Sequence, residues 1–248
     1  MEFCYDDFTK GYVLNLIRDR RTSAKLKYGN EINTFTFTNF TAQDFNLFFT
    51  ICWHIKEKKS KKITISFDEL KEFMPTKIKN NKRFFKAVSA FVCKLLNGYI
   101  KEFKKWKGFI LSYKVLEKEK ALSIVVSDMA YNILFHTYYL TEFDLNEFCS
   151  IKNKYTKTLF RLLKQYENMN KNPASGLKNI VMEKQEFLEF MNCPEKYKDK
   201  MIFTDRKILI PAIDELNKTS QSFENVSYQK IKEGGVIKKF EISFQTIR

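Results

Sequence analysis

Apolar residues recur along this chain in stripes that predict amphipathic helices separated by short strands. Over 153–169 they follow the i, i+4, i+7, i+8, i+11 spacing of one buried helical face. The residues concerned are Tyr155, Leu159, Leu162, Leu163 and Tyr166. A second stretch, 203–217, carries Ile208, Leu209, Ala212, Ile213 and Leu216 at the same kind of spacing. Both stretches are predicted to be core helices.

The first half of the chain alternates strand and helix signals. Thr and Phe alternate over 33–40, which favours a strand. Thr41 and Asp44 then form a weak capping box, which predicts a helix ending near Lys59. A short strand is predicted at 63–67, a short helix at 68–74 ended by Pro75, and a helix with a basic start around Arg83. Strands at 99–102, 109–116 and 121–126 and a helix at 128–135 complete this half.

The second half repeats this order of elements. Thr141 heads a short helix, and the long helix, a strand at 180–182, a short helix at 184–192 and the helix at 203–217 follow. A hairpin of 226–232 and 236–244, turned at Gly234 and Gly235, ends the chain. Residues 63–74 also align without gaps with 180–191. Helix, strand, short helix, basic-headed helix and hairpin is the order of a winged helix.

The predicted fold class is therefore α+β, with two tandem winged-helix domains, each a helix-turn-helix plus a β-hairpin wing. The first domain is placed at 32–137 and the second at 138–248. An N-terminal arm at 1–31 precedes them, and it is equally consistent with a poorly ordered segment and with a DNA-contacting arm.

The charge of the chain limits its partners. A formal net charge of +15 and a pI near 9.4 point to a polyanion, with nucleic acid first and an anionic membrane surface second. A Lys-rich cytosolic protein is the alternative. The five cysteines include no CxxC pair, which argues against a disulfide framework and a zinc site and for a reducing cytosol. No signal peptide or membrane-length apolar run is present, so a cytoplasmic protein without membrane association is expected.

The candidate DNA contacts lie where the second helix of each helix-turn-helix begins, because that part enters the major groove. There Arg can bond guanine, Asn can pair with adenine, and Lys can neutralise phosphate. In the first domain the candidates are Lys77, Lys79, Asn80, Asn81, Lys82, Arg83 and Lys86. In the second domain they are Lys200, Thr204, Arg206 and Lys207, with Lys230, Lys232, Lys238 and Lys239 on the wing. Any single Lys, and the wing as a whole, fits a solvated surface equally well.

Two residues of the 203–217 helix raise specific questions. Thr204 is a candidate helix cap, and free N–H groups at such a helix start favour phosphate. In the middle of a helix Pro211 would remove one backbone hydrogen bond and destabilise the helix by about 3 kcal/mol. The helix is therefore either kinked at Pro211 or begins near Ile210, with Arg206 in a preceding turn.

The chain offers little material for catalysis. Its two histidines, His54 and His136, lie in apolar helical runs, and no His-x-His pair precedes a Tyr as a strand-nicking initiator requires. No GxxxxGK[ST] loop is present for ATP. The prediction is a protein that is not an enzyme and has no metal, cofactor or small-molecule substrate.

Several segments resemble the theta-type plasmid replication initiators, the Rep proteins that bind iterons. They are FDLNEF at 143–148, SIKNKY at 150–155, LFRLLKQY at 159–166, FLEFM at 187–191 with Pro194 and Tyr197, and RKILIPAIDELN at 206–217. The helix at 41–59 also resembles the N-terminal domain of that family. The resemblance spans roughly 35–244 and is strongest in the second half.

This resemblance implies two winged helices that bind direct repeats of double-stranded DNA at a plasmid origin. It implies further that the protein is no enzyme, helps to open the duplex and recruits host replication proteins such as a helicase and an initiator. Dimers formed through the first domain would repress the protein's own gene, and monomers would initiate. By position, Arg206 and Lys207 inherit the role of recognition-helix residues. The chain departs from the family in using Lys where relatives use Arg and in having Ile210 where a polar residue is common.

Other function classes stay open. A double-winged-helix transcriptional regulator without a replication role would bind an isolated palindrome rather than tandem repeats. An RNA-binding protein would retain affinity for single strands, although the Phe residues here lie on core-facing stripes rather than on an exposed sheet. An origin-nicking enzyme lacks its motif.

Overall fold

The computed structural model describes residues 24–35, 37–75, 80–102 and 105–247. The strands are β1 (Lys25–Gly29), β2 (Lys62–Ser66), β3 (Tyr99–Glu102), β4 (Lys105–Gly108), β5 (Ile110–Leu116), β6 (Ala121–Val126), β7 (Leu140–Asp144), β8 (Lys178–Glu183), β9 (Phe223–Glu233) and β10 (Val236–Thr246). The helices are α1 (Ala42–Lys58), α2 (Phe67–Lys71), α3 (Asn81–Leu96), α4 (Asp128–Phe135), α5 (Leu145–Ser150), α6 (Lys154–Gln165), α7 (Lys184–Phe190), α8 (Glu195–Lys198), α9 (Met201–Thr204) and α10 (Ile210–Thr219).

Both halves build the same three-stranded antiparallel sheet. In the first half the strand order is β2-β6-β5, and in the second it is β8-β10-β9. In the first sheet β2, which precedes the short helix α2, pairs with β6, and β5 lies at the edge. In the second sheet β8, which precedes the short helix α7, pairs with β10, and β9 lies at the edge. Together with the helices α1 to α3 and α6 to α10, this is a winged helix in each half. The α+β tandem winged-helix prediction is confirmed.

Local signals in the sequence account for most helix starts. Thr41 and Asp44 form the predicted capping box at α1, in which the Thr41 hydroxyl accepts from the Asp44 N–H (3.2 Å) and the Thr41 N–H donates to the Asp44 carboxylate (2.7 Å). Ser66 and Glu69 form a second capping box at α2. Asp144 caps α5 and Asn153 caps α6. Thr141, expected to head a helix, lies instead in β7, because β7 pairs with β1.

Two further expectations were wrong. The strand expected at 33–40 does not form among the described residues of that stretch. A 3₁₀ helix covers Asn30–Thr34, and Phe35, Phe37 and Phe40 are buried against α1 without a strand partner. The described end of the predicted arm is the strand β1, whose Leu26 and Tyr28 are fully buried. The rest of the arm, 1–23, lies outside the described residues.

One continuous hydrophobic core runs through both halves. The rings of Phe143 and Phe148 pack against Phe49 of α1 at centroid distances of 5.4 and 4.9 Å. The Asn192 amide donates to the carbonyl of Phe37 (2.8 Å) across the same boundary. The predicted boundary at 137/138 falls in the connection between α4 and β7. The packing holds the two winged helices in one relative orientation.

A buried arginine occupies this boundary. Arg161 of α6 lies over the rings of Phe37 and Phe45, at 4.5 and 5.3 Å from their centroids, and donates to the Asn33 side-chain oxygen (3.2 Å). Burial lowers its pKa to about 10. A second buried cation, Lys157, donates to the carbonyl of Phe148, and burial lowers its pKa to about 8. Neither charge is available to a partner at the surface.

Candidate nucleic-acid interface

In the second winged helix, α6 orients the helical segment from Met201 to Thr219, which is called the recognition helix below. The Glu215 carboxylate of α10 accepts from the backbone N–H groups of Lys152 (2.7 Å) and Asn153 (3.1 Å) at the start of α6. These N–H groups precede the helix, and a carboxylate there also interacts favourably with the positive end of the helix dipole. The packing of α6 against α10 completes the contact. The angle between the two helices is thus defined by both polar and apolar contacts.

The recognition helix is continuous from α9 to α10 through a π-helical turn, Asp205–Leu209. Pro211 explains the turn, because proline has no N–H to donate and its ring would clash with the carbonyl four residues earlier. The N–H of Ile210 accordingly donates to the Asp205 carbonyl, one residue further back than in an α-helix. The regular α-helix α10 begins at Ile210, with Pro211 in its first turn, as the second alternative expected, and the π turn joins it to α9 without a break. Arg206 and Lys207 lie inside the π turn.

The structure separates the predicted contacts of this helix into two groups. Lys200, Arg206 and Lys207 are exposed and have no ion-pair partner among the described residues. Thr204 is fully buried, and its hydroxyl donates to the Tyr197 carbonyl (2.9 Å), so the prediction of a DNA contact or a helix cap at Thr204 was wrong. The physical reason is that the helix begins at Met201, which turns Thr204 towards the core.

The wing is the hairpin of β9 and β10. Lys232 and Lys238 are exposed, and Lys238 is the extra residue of a β-bulge between Ile237 and Lys239. Lys230 is half-buried and forms an ion pair with Asp205 of the π turn, while Lys239 pairs with Glu183 (3.3 Å). Lys230 therefore connects the wing to the recognition helix. Lys232 and Lys238 are the predicted wing cations that remain exposed, with no ion-pair partner among the described residues.

A buried carboxylate holds the start of the wing. Glu147 of α5 accepts from the N–H groups of Gln221 (2.8 Å) and Ser222 (3.0 Å) and from the hydroxyls of Ser220 (2.8 Å) and Ser222 (2.6 Å). These residues form the connection from α10 to β9. Sequence reasoning missed Glu147, because no local pattern indicates that a loop some seventy positions later surrounds it.

In the first winged helix the polar candidates divide in the same way. Asn80 caps α3 by accepting from the Arg83 N–H (3.0 Å), and the Asn81 side-chain oxygen accepts from Lys71 (2.7 Å). Lys82, Arg83 and Lys86 are exposed, without an ion-pair partner in the described parts of the chain. Lys77 and Lys79 lie outside the described residues. The exposed cations again follow the start of the second helix.

The recognition helix also exposes apolar side chains that the sequence-based prediction did not use. Ile202, Phe203 and Ile210 are 53%, 41% and 44% exposed. Ile202 and Ile210 each stand four positions from Arg206, a spacing that a helical projection of the sequence already contains.

The described residues show neither a metal-binding cluster nor a membrane-spanning helix. Within the described ranges there is no group of three or more His, Cys, Asp or Glu side chains placed to hold a metal ion. No helix in the same ranges is long and apolar enough to cross a membrane.

Comparison with known proteins connects this geometry to a family. A family model described as "Initiator Replication protein, WH1" matches residues 25–164, and one described as "Initiator Rep protein, WH2" matches residues 183–244. The chain belongs to this replication-initiator family. The plasmid replication-initiator resemblance is thereby confirmed. The first family model ends at residue 164, in the last turn of α6, and so includes α5 and most of α6, which the sequence-based division assigns to the second domain. The boundary at 137/138 stays a prediction.

Two of the proteins to which the chain is similar are a curated relative and a solved structure. A "Probable replication protein rep" of Bifidobacterium longum (strain NCC 2705) is 26% identical over 197 residues, which are 77% of this chain. The match spans 63% of the length of that relative. The crystal structure of Pi initiator protein in complex with iteron DNA matches with a TM-score of 0.70 at 17% identity, covering 91% of this chain and 98% of that chain. At this identity the structural likeness establishes the fold.

Proposed function

We propose that the chain is a plasmid replication initiator that binds repeated double-stranded sites, iterons, at its origin through both winged helices. One observation carries the proposal: in each half, exposed cations without an ion-pair partner among the described residues follow the start of the second helix of a helix-turn-helix. These are Lys82, Arg83 and Lys86 in one half and Arg206 and Lys207 in the other. The family membership, and the iteron DNA bound by Pi, support the same partner.

The exposed cations differ in the part of the DNA that they can contact. Arg206 can donate two parallel hydrogen bonds to a guanine edge, which discriminates by about 1–3 kcal/mol. Lys82, Lys207, Lys232 and Lys238 are suited to phosphate, which supplies affinity without sequence information. The continuous core holds both recognition helices in one orientation, so one molecule can contact two successive major-groove faces, on the order of 20 base pairs.

The later steps of initiation belong to the same proposal. Bound at several repeats, the protein would promote opening of the origin and recruit host replication proteins. A homodimer would repress the protein's own gene. The edge strand β5 supports a dimer through the first domain, because it carries the exposed side chains Leu111 and Tyr113.

The test is a fluorescence-anisotropy titration of the whole chain against a duplex of tandem repeats from beside its own gene. A scrambled duplex and a single copy of the repeat arranged as a palindrome serve as competitors, at several salt concentrations. Repeat-dependent binding near physiological salt supports the proposal. Equal, steeply salt-dependent binding to all duplexes contradicts it, and preference for the palindrome supports a transcriptional regulator.

Two substitutions sharpen the test. Arg206→Ala should weaken specific binding by about 1–3 kcal/mol and reduce the preference over scrambled DNA, whereas Lys82→Ala should mainly lower the salt dependence. Lys171→Ala, which removes an exposed cation from the loop between α6 and β8, is the charge-matched control. An unchanged preference for the repeat in Arg206→Ala would show that Arg206 does not read the sequence.

A further inference from the structure

An apolar–arginine–apolar ridge lies on the exposed face of the recognition helix. Its members are Ile202, Arg206 and Ile210, each four positions from the next, and both Ile side chains are about half exposed. The core face of the same helix is formed by other residues: Thr204, Ile208, Leu209, Ala212, Ile213 and Leu216 are all buried. The two Ile residues of the ridge are therefore not required by the core.

The π turn improves the alignment of this ridge. In an α-helix four residues turn about 400°, so residues at i, i+4 and i+8 drift by about 40° at each step. A π turn contains more residues per turn, which reduces the drift across Asp205–Leu209. Ile202 and Ile210 thus flank Arg206 on nearly one line. Phe203 is not part of this line, and its ring stacks on that of Tyr197 with the centroids 5.9 Å apart.

The chemistry of the major groove assigns a ligand to this ridge. Arg pairs with the O6 and N7 acceptors of guanine, and the apolar group on the base edges of the major groove is the thymine methyl. An Ile side chain has no hydrogen-bonding atom for phosphate or for the other base edges. Residues four apart are separated by about 6 Å along the helix axis, and base pairs by about 3.4 Å, so each step of the ridge spans about two base pairs.

From this geometry we infer that Ile202 and Ile210 read thymine methyl groups within about two base pairs of a guanine contacted by Arg206. The inference rests on the proposed function and deepens it: it names the base pattern that the second winged helix prefers. The departure at Ile210, an apolar residue in a recognition helix, is then a determinant of specificity.

The experiment replaces thymines of the bound repeat one at a time by deoxyuridine, which pairs identically and lacks the methyl group. With the unmodified protein, uracil at one or two positions near a guanine should weaken binding about three- to five-fold, the loss of one buried methyl contact. In Ile202→Ala or Ile210→Ala the same uracil should cost nothing at the position which that residue contacts. Val181→Ala, an exposed apolar position on β8, should keep the full thymine preference.

The outcomes distinguish this inference from the proposed function. Repeat-specific binding that ignores every uracil overturns the inference and leaves the proposed function intact. Binding to unmodified DNA is measured first. If the natural repeat is not preferred over the scrambled duplex, the result contradicts the proposed function rather than this inference. Uracil effects that persist in both Ile variants would assign methyl recognition to other residues, and unchanged DNA binding by both variants would assign the ridge to a protein partner. Either result overturns the inference.

Discussion

The Glu147 carboxylate is the contact whose removal has the most calculable consequence. In Glu147→Gln the Oε1 position can still accept from the Gln221 and Ser222 N–H groups, but the charge is lost. Hydrogen bonds to a charged group contribute about 1.5–3 kcal/mol and neutral ones about 0.5–1.5, so the expected loss is about 1–2 kcal/mol. In Glu147→Ala the Gln221 N–H loses its acceptor altogether, at about 1–3 kcal/mol, while the Ser222 N–H keeps the Ser220 hydroxyl (3.1 Å). Added to the about 1–2 kcal/mol of the lost charge, the expected loss is about 2–5 kcal/mol.

Thermal unfolding of the whole chain measures both losses. For a protein of this size, a loss of 1 kcal/mol in the free energy of unfolding lowers Tm by about 2–4 °C. The Tm of Glu147→Gln should therefore be lower by about 2–8 °C and that of Glu147→Ala by about 4–20 °C. Glu224→Gln is the matched control, because Glu224 is exposed near the start of β9, beside the connection that Glu147 holds, and has no ion-pair partner among the described residues. Its free energy of unfolding should change by no more than about 0.5 kcal/mol.

One result would refute this reasoning. If both Glu147 variants unfold at the temperature of Glu224→Gln, the carboxylate does not stabilise the connection between α10 and β9. If only Glu147→Ala is less stable, the hydrogen bonds matter and their charge does not. If Glu147→Gln is destabilised but its β9 and β10 stay paired, β9 is held chiefly by its hydrogen bonds with β10 and not by Glu147.

Two further predictions concern the buried cations. Because burial lowers the Lys157 pKa from 10.5 to about 8, the unfolded chain binds more protons than the folded chain between those values, and the Lys157 contribution to stability rises with pH there. The stability of the unmodified chain relative to Lys157→Met should therefore increase by up to about 3 kcal/mol from pH 8 to 10.5 in urea unfolding; parallel curves would contradict it. Asn33→Ala removes the side-chain acceptor of Arg161 and should lower the free energy of unfolding by about 2–4 kcal/mol. An unfolding midpoint equal to that of Asn132→Ala, an exposed helix position, would show that the rings around Arg161 suffice.

Local patterns accounted for the elements and their order. The stripe from Tyr155 to Leu163 and the capping boxes depend on residues within a few positions of one another, so they can be recognised without knowing the rest of the fold. The repeated order of elements then indicated two winged helices, because few folds combine those elements in that order. The exposed cations Arg206 and Lys82 could be named from the sequence, since they stand outside the apolar stripe of their helix.

What the sequence could not determine depends on contacts between distant residues. Thr204 faces the core because the helix begins earlier than its local signals indicate, and Lys230 is engaged by Asp205 because the wing folds back on the π turn. The Phe residues of 33–40 have strand propensity, but no strand lies beside them among the described residues, so they pack as a loop against α1. The sequence by itself determined which faces are apolar and where charge is concentrated. Only the tertiary structure decided which charges stay exposed. The other charged side chains are buried or paired by residues that lie far away in the sequence and come together only on folding.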